Sequence, residues 1–149
     1  MSSREIRMAE IFQKRGVLAA YLFGSQKEAG SAYLDDQAVR VDEKSDLDIG
    51  IVAEEPPAHM YEYFGNLYAD LAGLFEPFKL DIVFFHEVHA LLKYDMICGH
   101  RIFSADERRT DDYEETVMKT AEDLAFKRRQ FEQDFSEAIT NGHFELKPR

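Results

Sequence analysis

Two apolar runs of strand length flank a polar insert in the first third of the chain. Val17-Leu18-Ala19-Ala20-Tyr21-Leu22-Phe23 stops at Gly24-Ser25, and Asp46-Leu47-Asp48 leads into Ile49-Gly50-Ile51-Val52. Side chains alternate faces along a strand, so Asp46 and Asp48 project to one side about 6 to 7 Å apart while Leu47 and Ile49 face the core. Carboxylates that close raise each other's pKa unless positive charge lies between them. A hard divalent cation supplies that charge, taking oxygen ligands from one or two carboxylates together with phosphate and water. A third acid, Asp81, interrupts the otherwise apolar run Leu80-Asp81-Ile82-Val83-Phe84-Phe85. A carboxylate there needs a partner, and if the strands are neighbours the same cation provides one.

The rest of the chain supplies elements around these strands. Ser2 and Glu5 have the spacing of a capping box, opening a helix over residues 3–15 with Ile6, Ala9 and Phe12 on one face and Gly16 as its stop. Residues 17–23 are apolar throughout, the pattern of a strand covered on both faces. A short helix is expected to start within residues 26–32, its amino end toward any anion above Gly24-Ser25. The 20 residues 26–45 otherwise read as a polar loop. Pro56-Pro57 ends the second strand, and Met60, Phe64, Leu67, Leu71 and Leu74 recur at helical spacing as a core stripe over residues 58–75. A third strand follows at 80–85, a helix at 88–98 and a short edge strand at 101–103. Residues 111–139 form one long helical pattern with Tyr113, Val117, Leu124, Phe131, Phe135 and Ile139 near one face. That stripe packs across the back of the domain or docks a partner helix. Alternating helices and strands give an α/β (α+β) class, a small mixed sheet flanked by helices.

Length and charge narrow the function. One domain is expected over residues 1–149, with a catalytic core at about 17–104 and a C-terminal helix at about 110–140. The net charge of −11 opposes nonspecific binding to nucleic acid, whose affinity comes mainly from Lys and Arg contacts with phosphate. It leaves room for a nucleoside triphosphate, whose charge a divalent cation and a few local donors offset. The single cysteine, Cys98, rules out an internal disulfide and fits a reducing, cytoplasmic setting, and no apolar run is long enough for a membrane.

Gly24-Ser25, then Asp46-x-Asp48, then Asp81 on a later strand together resemble the minimal nucleotidyltransferases of the DNA polymerase β superfamily, over residues 17–104. The acidic tail helix is also similar to that of the small members, the antitoxins of the MntA type that pair with HEPN ribonuclease toxins. The resemblance implies a polymerase β-like fold and transfer of AMP from ATP, with Mg²⁺ held by Asp46, Asp48 and Asp81. It also implies that Gly24 admits the phosphates to the backbone, that Ser25 donates a hydroxyl hydrogen bond, and that Asp81 orients the acceptor hydroxyl and takes or relays its proton. Lys27 is a candidate nucleotide contact, and Lys44 a second cation beside the acids. The acceptor implied is a tyrosine of a HEPN toxin, with the chain acting as antitoxin. The insert at 26–45 exceeds the compact spacing of the minimal family.

Two other functions stay open: a noncatalytic module that neutralises its partner by occlusion through the long helix, and a small-molecule nucleotidyltransferase, for whose usual extra substrate domain this chain has little room. The sequence leaves homo- or hetero-oligomerisation open. His86, His89 and His100 form no helical i, i+4 pair and read as surface residues rather than zinc ligands. Tyr61, Tyr63 and Tyr68 read as helix packing or surface residues, with any exposed tyrosine able to accept AMP in self-modification.

Overall fold

The computed structural model describes residues 1–141, so the last eight residues of the expected domain lie outside the described residues. The elements run α1 (Ser3–Lys14), β1 (Val17–Phe23), α2 (Lys27–Leu34), β2 (Leu47–Ala53), α3 (Met60–Phe75), β3 (Leu80–Phe84), a 3₁₀ turn (Phe85–Glu87), α4 (Ala90–Ile97), β4 (His100–Ser104) and α5 (Glu107–Thr140). The strands form one mixed sheet in the order β3-β2-β1-β4. β1 is antiparallel to both neighbours, and β2 and β3 run parallel. A parallel pair cannot be joined by a tight turn, and α3 makes the crossover. With five α-helices around this sheet among the described residues, α5 being the long C-terminal one, the expected α/β (α+β) architecture of a small mixed sheet flanked by helices is the one observed.

Each strand's alternation divides the core in two. Leu22, Leu47, Ile49, Ile51, Leu80 and Ile82 pack against Met8 and Phe12 of α1 and Leu67, Leu71 and Leu74 of α3. On the other face Tyr21, Phe23, Val52 and Phe85 pack with Met96 of α4, and Tyr113 of α5 closes over them. β1 is buried at every position, as a strand covered on both sides requires. A register shift between Val17 and Ala19 lets Leu18 and Ala19 both turn to the second face. Gly50 belongs to that face too. A Cβ there would come within 3.0 Å of the Phe85 ring and 3.2 Å of the Met96 methyl, so β2 can pack tightly on α4 only without one.

Some sequence expectations need correction. The Ser2 hydroxyl does accept the Glu5 N–H at 3.1 Å, but the buried stripe of α1 passes through Met8 and Phe12 and leaves Ile6 exposed. The region read mainly as a 20-residue loop folds in its first half as α2, so the true connection is residues 35–46. It is not loosely attached. Val39 and Val41 pack on the first core, and the Asp36 carboxylate accepts the Ser3 and Arg4 N–H groups at the start of α1. In α3, Leu67, Leu71 and Leu74 are buried as expected, whereas Phe64 is partly exposed and stacks on Tyr68.

α5 behaves as two different halves. Thr110, Val117 and Ala121 are buried, the Tyr21 hydroxyl donates to Glu114 at 2.8 Å, and Arg101 of β4 donates to Asp111 at 2.8 Å. Beyond Ala121 none of its described side chains is buried, and Leu124, Phe126, Phe131 and Ile139 are exposed. Packing across the back of the sheet thus accounts for the first half of the stripe and not for the second. Among the described residues no helix is long and apolar enough to cross a membrane.

Candidate active site

Asp48 and Asp81 occupy the same register position of the parallel strands β2 and β3, and Phe23 is the Asp48 partner on β1. Because Leu47, Ile49, Leu80 and Ile82 fill the first core, both carboxylates emerge on the opposite face. There they lie at one end of the Tyr21–Phe23–Phe85–Met96 cluster. Asp46 is exposed and precedes β2 by one residue. Gly24 completes the group. Its φ of +77° lies in the left-handed region that side chains resist, and a Cβ there would fall 2.0 Å from Asp48 Oδ2. The backbone of the turn therefore rests against the Asp48 carboxyl, an approach only glycine permits.

Electrostatics bear the strain of this arrangement. The Asp48 carboxyl is raised from 3.8 to about 6, first by burial, then by the charge of Asp81 and a hydrogen bond with it, then by Asp46. A carboxyl so placed ionises readily only when a cation offsets its neighbours. Among the described residues no three His, Cys, Asp or Glu side chains enclose a metal position. An open set of carboxylate oxygens suits a hard divalent cation that takes its other ligands from phosphate and water, and the donors present fit such an ion.

The remaining residues read from the sequence divide clearly. Ser25 is exposed in the turn directly before α2, whose Lys27 N–H is donated to the Gly24 carbonyl at 3.4 Å. Lys27 is half-buried on the first turn of α2, and Lys44 is exposed two residues before Asp46. The histidines do not join the acids. His100 Nε2 pairs with Glu28 at 2.9 Å, His86 lies 3.7 Å from Glu87, and His89 caps α4 by accepting the Leu92 N–H. Tyr61 is 96% exposed, while Tyr63 packs against the first core. A surface cavity of about 450 Å³ lined by Leu18, Val52, Glu54, Arg109 and Tyr113 lies at the other end of β2 and shares no residue with the carboxylates. Sequence reasoning missed Gln26, which is buried beside the site and bonded to the segment that precedes Asp46. Its only sequence signal is a polar residue wedged between Ser25 and the first turn of α2.

The family model for Polymerase beta, Nucleotidyltransferase matches residues 7–108. Among curated proteins none matches the sequence. Several solved structures share the fold. A crystal structure of the toxin–antitoxin pair MntA–HpeT carrying two Asp-to-Glu substitutions superposes with a TM-score of 0.62 at 14% identity, covering 89% of this chain and 98% of that one. A toxin–antitoxin structure with AMP-PNP gives 0.59 at 15% identity, over 89% of this chain and 98% of that one. A tri-AMPylated HEPN toxin from Shewanella oneidensis in complex with its MNT antitoxin gives 0.56 at 14% identity, over 89% and 96%.

Proposed function

Since the chain belongs to the polymerase β nucleotidyltransferase family, we propose that it transfers AMP from ATP to a protein hydroxyl, most specifically a tyrosine of a partner HEPN ribonuclease, and so acts as an antitoxin. The observation that carries this reading is the convergence of Gly24, Asp48 and Asp81 from three strands on one point, with Asp46 beside them. Few chemistries need a glycine turn pressed against paired carboxylates. Phosphoryl chemistry is one, because it relies on positioning and charge compensation.

In this mechanism Asp46, Asp48 and Asp81 would hold Mg²⁺, which when bound would offset the charge of the triphosphate and of the attacking and leaving oxygens. Gly24 lets the triphosphate approach the backbone, Ser25 offers its hydroxyl, and the amino end of α2 faces the phosphates. Lys27 adds positive charge on the same turn. The acceptor hydroxyl oxygen bonds to the α-phosphorus, the bond from that phosphorus to the oxygen bridging to the β-phosphate breaks, and pyrophosphate leaves. Asp81, exposed at the edge strand, takes the hydroxyl proton. Residues 17–104 form the catalytic core of a single nucleotidyltransferase domain in a cytoplasmic protein, and α5 carries the partner contact.

The similar structures lend support: one is described with AMP-PNP and another with a tri-AMPylated HEPN toxin. A second reading, neutralisation by occlusion without chemistry, draws on the exposed apolar residues of the distal α5. The variant Asp46→Asn with Asp48→Asn separates the two. Transfer should fall by at least roughly 100-fold, the scale of losing groups aimed at developing charge, with folding and partner binding retained. Full neutralisation of the partner in cells by that double variant would establish occlusion instead.

A further inference from the structure

Gln26 is 5% exposed, and its side-chain amide spans the gap between α2 and the arm returning from the insert. Nε2 donates to the Ser45 carbonyl at 2.5 Å and to the Asp42 carbonyl at 3.3 Å, and Oε1 accepts the Asp42 N–H at 3.2 Å. Its own carbonyl accepts the Gly30 N–H at 2.9 Å, so the backbone of Gln26 is fixed in the first turn of α2. Asp42 in turn folds the arm on itself. Its carboxylate accepts the Lys44 N–H at 2.9 Å and the Ser45 hydroxyl at 3.4 Å. The Ser45 carbonyl belongs to the peptide group that leads into Asp46. On the far side of Asp46, the Leu47 N–H is donated to the Lys79 carbonyl at 2.7 Å, at the entrance to β3. Asp46 is thus strung between two clamps, Gln26 on one side and the β3 entrance on the other.

We infer that Gln26 is a positioning residue for cation binding: through Ser45 it presets the Asp46 carboxylate beside Asp48, and it ties that placement to the turn at Gly24-Ser25. The inference rests on the transferase reading of the same site and assigns the insert a role in it. An exposed acid between flexible neighbours would have to be ordered by the cation itself, which weakens binding, whereas a preset one would not. Glutamine suits the position because it is at once donor, acceptor and uncharged. Glutamate would lose the donor to Ser45 and add a fourth negative charge.

The test uses the full chain with Gln26→Met and Gln26→Leu, which keep much of the buried volume, add no charge and remove every side-chain hydrogen bond. Nucleotide-free Mn²⁺ binding, followed by paramagnetic resonance, and the Mg²⁺ dependence of AMP transfer are measured alongside thermal unfolding. Both variants should weaken Mn²⁺ binding and raise the half-saturating Mg²⁺ by roughly tenfold, the low end of the effect of outer-shell partners on metal affinity. At saturating Mg²⁺ the rate should return to within about threefold of wild type, which loss of a purely structural contact would not produce. Wild-type Mn²⁺ affinity in either folded variant would overturn the inference. If the wild-type chain transfers nothing, the transferase reading fails, and the Mn²⁺ comparison still decides the role of Gln26.

Discussion

Asp48 is half-buried beside Phe23 and Asp81, and its carboxyl titrates at about 6 rather than 3.8 because of burial and the neighbouring acids. The folded state therefore holds a proton that the unfolded chain has released between those two values, so the metal-free protein loses stability as pH rises from about 4 to about 6. Over that interval the loss is on the order of 1 to 2 kcal/mol after allowance for solvent screening. Asp48→Asn removes the titration. In chelator, urea unfolding from pH 4 to 7.5 should show the Asn variant gaining on wild type through this window and holding a constant advantage above it. Parallel curves for the two proteins would refute the placement of Asp48 in a like-charged cluster. Asp48 and Asp81 were readable in the sequence because each interrupts an apolar run, and Asp46 because it stands two residues before Asp48 at the head of one. Gln26 was not, since a buried, fully bonded amide looks like any other polar residue until its partners, 16 to 19 positions away, are in place.

Among the elements, β1, β2 and α3 were legible because one physical rule dominates each: continuous burial in the strands and a 3.6-residue stripe in the helix. α2 was only half seen. Its eight residues include Gly30, an unfavourable helix former, kept there because a Cβ would meet Leu47 at 2.7 Å and Leu22 at 3.0 Å. α5 shows the limit of periodicity, which marks an apolar face without saying what covers it. Its 34 residues span about 51 Å at 1.5 Å per residue, more than the sheet can cover. Removal of everything after Thr110 would take away Tyr113, Glu114, Val117 and Ala121 and expose the second core, so that truncation should unfold the protein. Truncation after Asp123 keeps all the buried positions of the helix. It should cost less than about 1 kcal/mol, as losses outside the packed region do, yet reduce partner affinity at least tenfold by calorimetry. Unchanged affinity would remove α5 from the interface.

At the scale of the molecule, the sheet order β3-β2-β1-β4 is what makes a site from residues far apart in sequence. Antiparallel pairing sets Gly24 against Asp48, and parallel pairing sets Asp81 beside it. Spacing alone left that adjacency conditional, because it depends on which strands are neighbours. Acceptor and partner are not written in the fold in the same way, as they depend on surfaces the chain offers to another protein. The decisive measurement is therefore intact mass of this protein and of the protein encoded beside it, after incubation together with Mg²⁺ and α-labelled ATP. A gain of one or more AMP units on the partner, absent with the Asp46→Asn, Asp48→Asn variant, is the expected result. A stable complex in which neither protein gains mass or label would contradict the transferase assignment.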